Sequence, residues 1–118
     1  MNVNIRKQEG VTILDVEGRV VGSDSLALKH IIDEEISMAE EKQVKILLNL
    51  EKVRMVDSSG LGVIVAVYTS VQRKGGRIAL LHVGGNVKSF IVMANLGNIF
   101  DRIVPQYDKL SEAVASFH

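Results

Sequence analysis

Cysteine is absent from this chain. That excludes a disulfide framework, a thiol nucleophile, a cysteine zinc site and an iron–sulfur cluster together. Net charge is absent as well: Lys and Arg total 14, Asp and Glu total 14, and the formal charge is zero. A domain without a basic excess lacks the footprint that drives general nucleic-acid or anionic-membrane binding, so neither partner is expected. No apolar run nears the length that spans a bilayer, and Met1 to Lys7 contains no apolar secretory segment. A cytoplasmic protein is the expectation. Proline is reduced to Pro105, between two late elements, and no Ser/Pro linker or repeat divides the sequence. Residues 1–118 are therefore read as one domain, long enough to bury roughly two thirds of the surface exposed by the unfolded chain.

What is present is a regular alternation of patterns. Val3 and Ile5 alternate with polar neighbours, Gln8-Glu9-Gly10 offers a turn, and Val11 to Glu17 is a second β-rich run ending at Gly18, which together read as a hairpin. Ser23 and Asp24 offer caps to a helix with Leu28, Ile31, Ile32, Ile36 and Ala39 on one face and Glu34, Glu35, Glu40 and Glu41 mostly on the other. Val44 to Leu50 and Arg77 to Val83 are near-continuous apolar runs of the kind that sheets bury on both faces. Between them, Leu61, Ile64, Val65, Tyr68 and Val71 recur at helical spacing, and Gly75-Gly76 supplies the stop. Asn86 is placed as the cap of a helix with Val87, Phe90, Ile91 and Ala94, ended by Gly97, before a strand from Ile99 to Val104. Asp108 is placed as the cap of a last helix with Leu110, Ala113, Val114 and Phe117 inward. The order ββαβαβαβα implies an α/β fold, a mixed β-sheet with helices packed against it.

The segment that carries chemistry is Met55-Val56-Asp57-Ser58-Ser59-Gly60-Leu61-Gly62, where a buried strand hands over to an amphipathic helix. The first amides of a helix lack intrahelical partners, so Asp57 or Ser58 can accept from them, and the macrodipole there favours an anion. A phosphate on a serine hydroxyl adds a charge of about −1.5 to −2 beside those amides. Gly60 and Gly62 keep the first turn bare, which lets another protein's backbone approach. An ordinary capped helix also accounts for the segment, with Gly allowing close packing on the sheet. Enzymatic readings find less support. Asp57 sits where a receiver-domain aspartate sits, but no acidic metal-binding pair follows the first strand. Ser58 lies in no G-x-S-x-G elbow, and His30, His82 and His118 show no paired spacing. Gly60-Leu61-Gly62 runs on into Val63-Ile64-Val65, and Gly84-Gly85-Asn86 lacks the lysine of a phosphate-binding loop. No catalytic residue, metal or cofactor is expected.

The run Asp57-Ser58-Ser59-Gly60-Leu61-Gly62, with Ile46-Leu47-Leu48-Asn49-Leu50 before it and Gly75-Gly76 after it, resembles the STAS domain of bacterial anti-sigma-factor antagonists. The likeness extends over essentially the whole chain, including Gly18-Arg19-Val20 and Asn95-Leu96-Gly97-Asn98-Ile99-Phe100. It implies a non-enzymatic switch. The resemblance implies that Ser58 is phosphorylated by an anti-sigma factor that is itself a serine kinase, that the unphosphorylated form binds that kinase and frees the sigma factor, and that a metal-dependent serine phosphatase resets the state. It implies further that Asp57, Ser59, Gly60, Leu61 and Gly62 form the phosphosite loop and partner surface, which the turn from Arg19 to Ser23 is expected to extend. Many such antagonists carry an acid where this chain has Val21. Two other readings are a STAS adaptor subunit of a signalling or transporter complex and a small nucleotide-binding protein.

Overall fold

In the computed structural model, which describes residues 1–40, 42–93 and 104–118, the chain opens with a hairpin of β1 (Asn2–Gln8) and β2 (Val11–Val20). Glu9 and Gly10 both have positive φ, the two-residue turn whose twist matches paired strands. There follow α1 (Ser23–Met38), β3 (Lys45–Val56), α2 (Ser58–Arg73), β4 (Arg77–Leu81), α3 (Gly85–Met93), β5 (Gln106–Tyr107) and α4 (Leu110–Ala115). The described elements run ββαβαβαβα, the order that the sequence pattern implies. The sheet order is β1-β2-β3-β4-β5, antiparallel at β1/β2 and parallel at every later pair.

Helices cover both faces. On one, Leu14, Val16, Leu48 and Leu80 of the strands meet Leu28 and Ile32 of α1, Leu61, Ile64 and Val67 of α2, and Val87 and Ile91 of α3. On the other, Val11, Ile13, Leu47, Ala79 and Leu81 meet Ala113, Val114 and Phe117, from α4 onward. The unbroken apolar run Ile46-Leu47-Leu48 thus supplies both cores from one strand. The helix stop at Gly75-Gly76 is a Schellman motif. Gly75 lies at φ 72°, its N–H donates to Gln72 O at 3.0 Å, and Gly76 N–H donates to Val71 O at 3.0 Å.

Several boundaries differ from the sequence reading. β2 continues past Gly18 to Val20, because bulges at Asp15/Glu17 and Gly18/Arg19 absorb the break. β3 runs beyond Leu50 to Val56, with Val53 and Val56 returning to the core. In α2 the buried positions include Val63 and Val67 while Val65 is exposed, since the helix packs on α1 as well as on the sheet. Ile5 is exposed on the edge strand. Gly22, not Ser23 or Asp24, is the N-cap of α1, and no side chain caps it. Lys109, not Asp108, is the N-cap of α4. Asn86 lies inside α3, and its Nδ2 donates to Arg54 O at 3.1 Å, so it fastens α3 to β3 instead of capping. Glu41, Ala94 to Phe100 with Gly97, and the expected strand as far as Ile103 lie outside the described residues. Val104 is buried but not in a strand, and the strand here is Gln106–Tyr107.

Candidate functional site

The carboxyl ends of β2, β3 and β4 open at one edge of the sheet, where β2 turns into α1 and β3 runs directly into α2. Asp57 stands at that second junction, extended at φ −109° and ψ −174°, as the N-cap of α2. Its Oδ1 accepts from Gly60 N–H at 3.0 Å and from Ser59 Oγ–H at 2.5 Å. Its Oδ2 reaches across to the neighbouring turn and accepts from Gly22 N–H at 3.1 Å. One carboxylate therefore caps a helix and ties the β2–α1 turn to the β3–α2 junction. The Ser59 hydroxyl and the Gly60 amide, joined by the amides of Gly22 and Ser59, hold the Asp57 carboxyl below the usual carboxylate range, against a smaller opposing effect of burial.

The two serines differ in their bonding. Ser59 Oγ lies 3.0 Å from Ser25 Oγ as well as against Asp57. A hydroxyl has one proton and a carboxylate only accepts, so Ser59 donates to Asp57 and receives its other bond from Ser25. Ser58 is exposed, and among the described residues its Oγ makes no hydrogen bond. Its hydroxyl is the unbonded one of the pair among the described residues, at the first residue of a helix whose dipole favours negative charge.

Gly60 and Leu61 act from inside. A Cβ on Gly60 would press on Val56 Cγ2 and lie 2.6 Å from Val20 O, so close packing on its own sheet ends leaves no room for a side chain there. Leu61 is 1 % exposed and anchors the helix start in the core. Gly62 meets nothing within 4 Å and remains open to an approaching surface. Two features of the site escape sequence reasoning. Ser25 is buried beneath Ser59, and a lone serine in a helix gives no sign of that. Beside the junction, Arg54, Met55, Asp57, Asn86, Phe90 and Met93 line a groove of about 440 Å³, and Arg19 Nη2 lies 3.5 Å from Met55 Sδ at its rim. The spacing of Asn86, Phe90 and Met93 along one helix was its only trace in the sequence.

His30 and His118 are exposed, His82 is half-buried, and none of the three hydrogen-bonds to Asp57 or the serines. Among the described residues no group of His, Cys, Asp and Glu could hold a metal ion, and no helix is long and apolar enough to cross a membrane.

A parallel-dominated sheet with a serine pair at the start of its α2 helix defines a small α/β domain of one kind. The chain belongs to the STAS-domain family, whose model matches residues 2–113. It is 30% identical over 108 residues to the anti-sigma F factor antagonist of Paenibacillus polymyxa, spanning 92% of this chain and 87% of the relative. Among solved structures, it resembles an anti-sigma factor antagonist from Mycobacterium paratuberculosis at TM-score 0.79 and 20% identity, covering 98% of this chain and 92% of that one. It also resembles the Bacillus cell fate determinant SpoIIAA in its phosphorylated form, at TM-score 0.70 and 17% identity, covering 99% and 100% of the two chains. SpoIIAA in its unphosphorylated form gives the same TM-score of 0.70 at 16% identity, covering 98% of this chain and 96% of that one. At these identities the structural likenesses establish the fold.

Proposed function

We propose that this chain is an anti-sigma-factor antagonist, a single-domain protein-binding switch without catalytic activity of its own, whose state is set by phosphorylation of Ser58. The observation that carries the reading is the contrast within the exposed serine pair: the Ser58 hydroxyl makes no hydrogen bond among the described residues, while Ser59 is bonded to Asp57 and Ser25. The name of the Paenibacillus polymyxa relative and the phosphorylated form of a structural neighbour support it. In the proposed step, Ser58 Oγ attacks the γ-phosphorus of ATP held by an anti-sigma serine kinase. The new O–P bond forms, the bond to the β–γ bridging oxygen breaks, ADP leaves, and the hydroxyl proton passes to a base on the kinase. The partner binds the unphosphorylated form across Ser58, Ser59 and Gly62. A dianion in that contact must shed its hydration and face whatever acidic or apolar surface lies opposite, which ejects the partner without altering the fold. A metal-dependent serine phosphatase restores the hydroxyl by hydrolysis.

The test uses the purified cognate anti-sigma kinase with Mg-ATP. Phosphate mapped by mass spectrometry is expected on Ser58 and absent from Ser58→Ala. Ser58→Asp is expected to bind the kinase at least about tenfold more weakly, about 1.4 kcal/mol, in titration calorimetry. Phosphate that persists in Ser58→Ala, with unchanged affinity in Ser58→Asp, overturns the proposal.

A further inference from the structure

Ser25 is 1 % exposed, the one buried polar side chain among the described residues, and it lies in the first turn of α1. Its hydroxyl is placed on Ser59 at 3.0 Å, and through Ser59 it reaches the carboxylate that caps α2. We infer that Ser25 is a positioning residue that holds the Ser59 hydroxyl against Asp57 and so confines phosphate acceptance in the tandem pair to Ser58. The inference rests on the phosphorylation reading above and assigns its site selectivity.

The chemistry follows from counting protons. With Ser25 donating to Ser59 and Ser59 donating to Asp57, the Ser59 oxygen is held between a buried hydroxyl and an anion although the residue itself is exposed. Phosphoryl transfer to it would replace its proton by phosphorus, so the bond to Asp57 would be lost. The product dianion would then press on a carboxylate within hydrogen-bond range. Three equatorial phosphoryl oxygens would also need room on the side where α1 packs on α2. An in-line transfer further requires the attacking oxygen to project toward the donor, since misplacement by about 1 Å costs roughly a hundredfold in rate. Ser58 carries none of these restraints. Its hydroxyl is exposed and, among the described residues, unbonded, one residue away. Removing the Ser25 hydroxyl leaves Ser59 held by Asp57 alone, so that exchanging that one bond for solvent is enough to turn its oxygen outward and let it compete for the phosphate.

The experiment compares Ser25→Ala and Ser25→Thr, each alone and combined with Ser58→Ala, after incubation with the cognate anti-sigma kinase and Mg-ATP. Phosphopeptides are quantified by site-localising mass spectrometry, and folding is checked by circular dichroism. Wild type is expected to carry phosphate on Ser58 only. The Ser25→Ala, Ser58→Ala double variant is expected to gain Ser59 phosphate at least tenfold above Ser58→Ala alone. Ser25→Thr restores a hydroxyl and is expected to return the pattern to Ser58. A purely structural role for Ser25 would lower stability without moving the phosphate. A folded double variant with no Ser59 phosphate overturns the inference while leaving Ser58 as the acceptor; no phosphate on the wild type overturns the phosphorylation reading itself. If Ser25→Ala unfolds at the assay temperature, the Hα–Hβ couplings of Ser59 in the wild-type protein decide. A single rotamer supports the inference, and rotamer averaging overturns it.

Discussion

Asp57 shows how much one residue can hold. Its two oxygens accept from Ser59, Gly60 and Gly22, so a single carboxylate caps α2, fixes one serine of the pair and secures the neighbouring turn. These bonds favour the ionised form and lower its pKa. The stability they give is therefore present above the ordinary unfolded value of 3.8 and is lost as pH falls through the lower folded value. Asp57→Ala is expected to melt at a lower temperature than wild type at pH 7, with the gap closing below about pH 4 as the wild-type carboxylate is protonated. Thermal melts across pH 2.5 to 7 check this, and a gap that stays constant refutes it. Asp15 shifts in the same direction for other reasons. Burial pushes it up, and hydrogen bonds from Arg6, Asn49 and Asn4 together with the Arg6 charge outweigh that. Part of the common acid loss belongs to it, which is why the comparison with Asp57→Ala is needed.

At the scale of elements, the informative contact is the start of α2 against the ends of β2 and β3. Ala is the better helix former by about 1 kcal/mol, so propensity alone favours Gly60→Ala. The site reverses that preference. The new Cβ would meet Val20 O, which belongs to the backbone and cannot swing aside as a side chain can. Overpacking of this kind costs roughly 1–3 kcal/mol, and Gly60→Ala is expected to be net destabilising in urea unfolding. Gly62→Ala, with nothing within 4 Å, is expected to be neutral or slightly stabilising. Stabilisation by Gly60→Ala would show that the helix can lift off the sheet. The rigid seat also bears on the proposed function, because a phosphate on Ser58 would be added to a helix start that is held by Asp57, Gly60 and Leu61 and cannot readily retreat.

For the whole molecule, the zero formal charge sets the scale of the proposed switch. One phosphoserine takes the domain from zero to about −2 at neutral pH, concentrated at an exposed helix start. The phosphorylated protein is expected to migrate as a distinctly more acidic band in isoelectric focusing. Its melting temperature should change by no more than a few degrees, since the charge sits at the favourable end of the α2 dipole. Calorimetry before and after phosphorylation checks both halves of that statement. A large fall in melting temperature would mean that the switch works by unfolding the site and not by repelling the partner.

Much of this architecture was legible in the sequence because periodicity records burial directly. The alternation of the hairpin, the apolar runs of β3 and β4, the helical spacing from Leu61 to Val71 and the Gly75-Gly76 stop each report a local pattern that the backbone must satisfy. A cap from Asp57 or Ser58 was legible for the same reason, since a helix start leaves amides that a short polar side chain can meet, and the structure gives that cap to Asp57. The candidate caps Ser23, Asn86 and Asp108 were not decided locally, because strand bulges and contacts between elements moved those boundaries. Nor does anything near Ser25 or Gly22 in sequence point to residues 57 and 59. The sequence by itself determined which elements form, in what order, and that a serine pair opens α2. Only the tertiary structure decided that Gly60 faces its own sheet, that Asp57 reaches the turn before α1, and that Ser25 bonds Ser59 while Ser58 makes no hydrogen bond among the described residues. Those contacts join positions about 35 residues apart, and their sites are set by how α1 and α2 pack over the ends of β2 and β3.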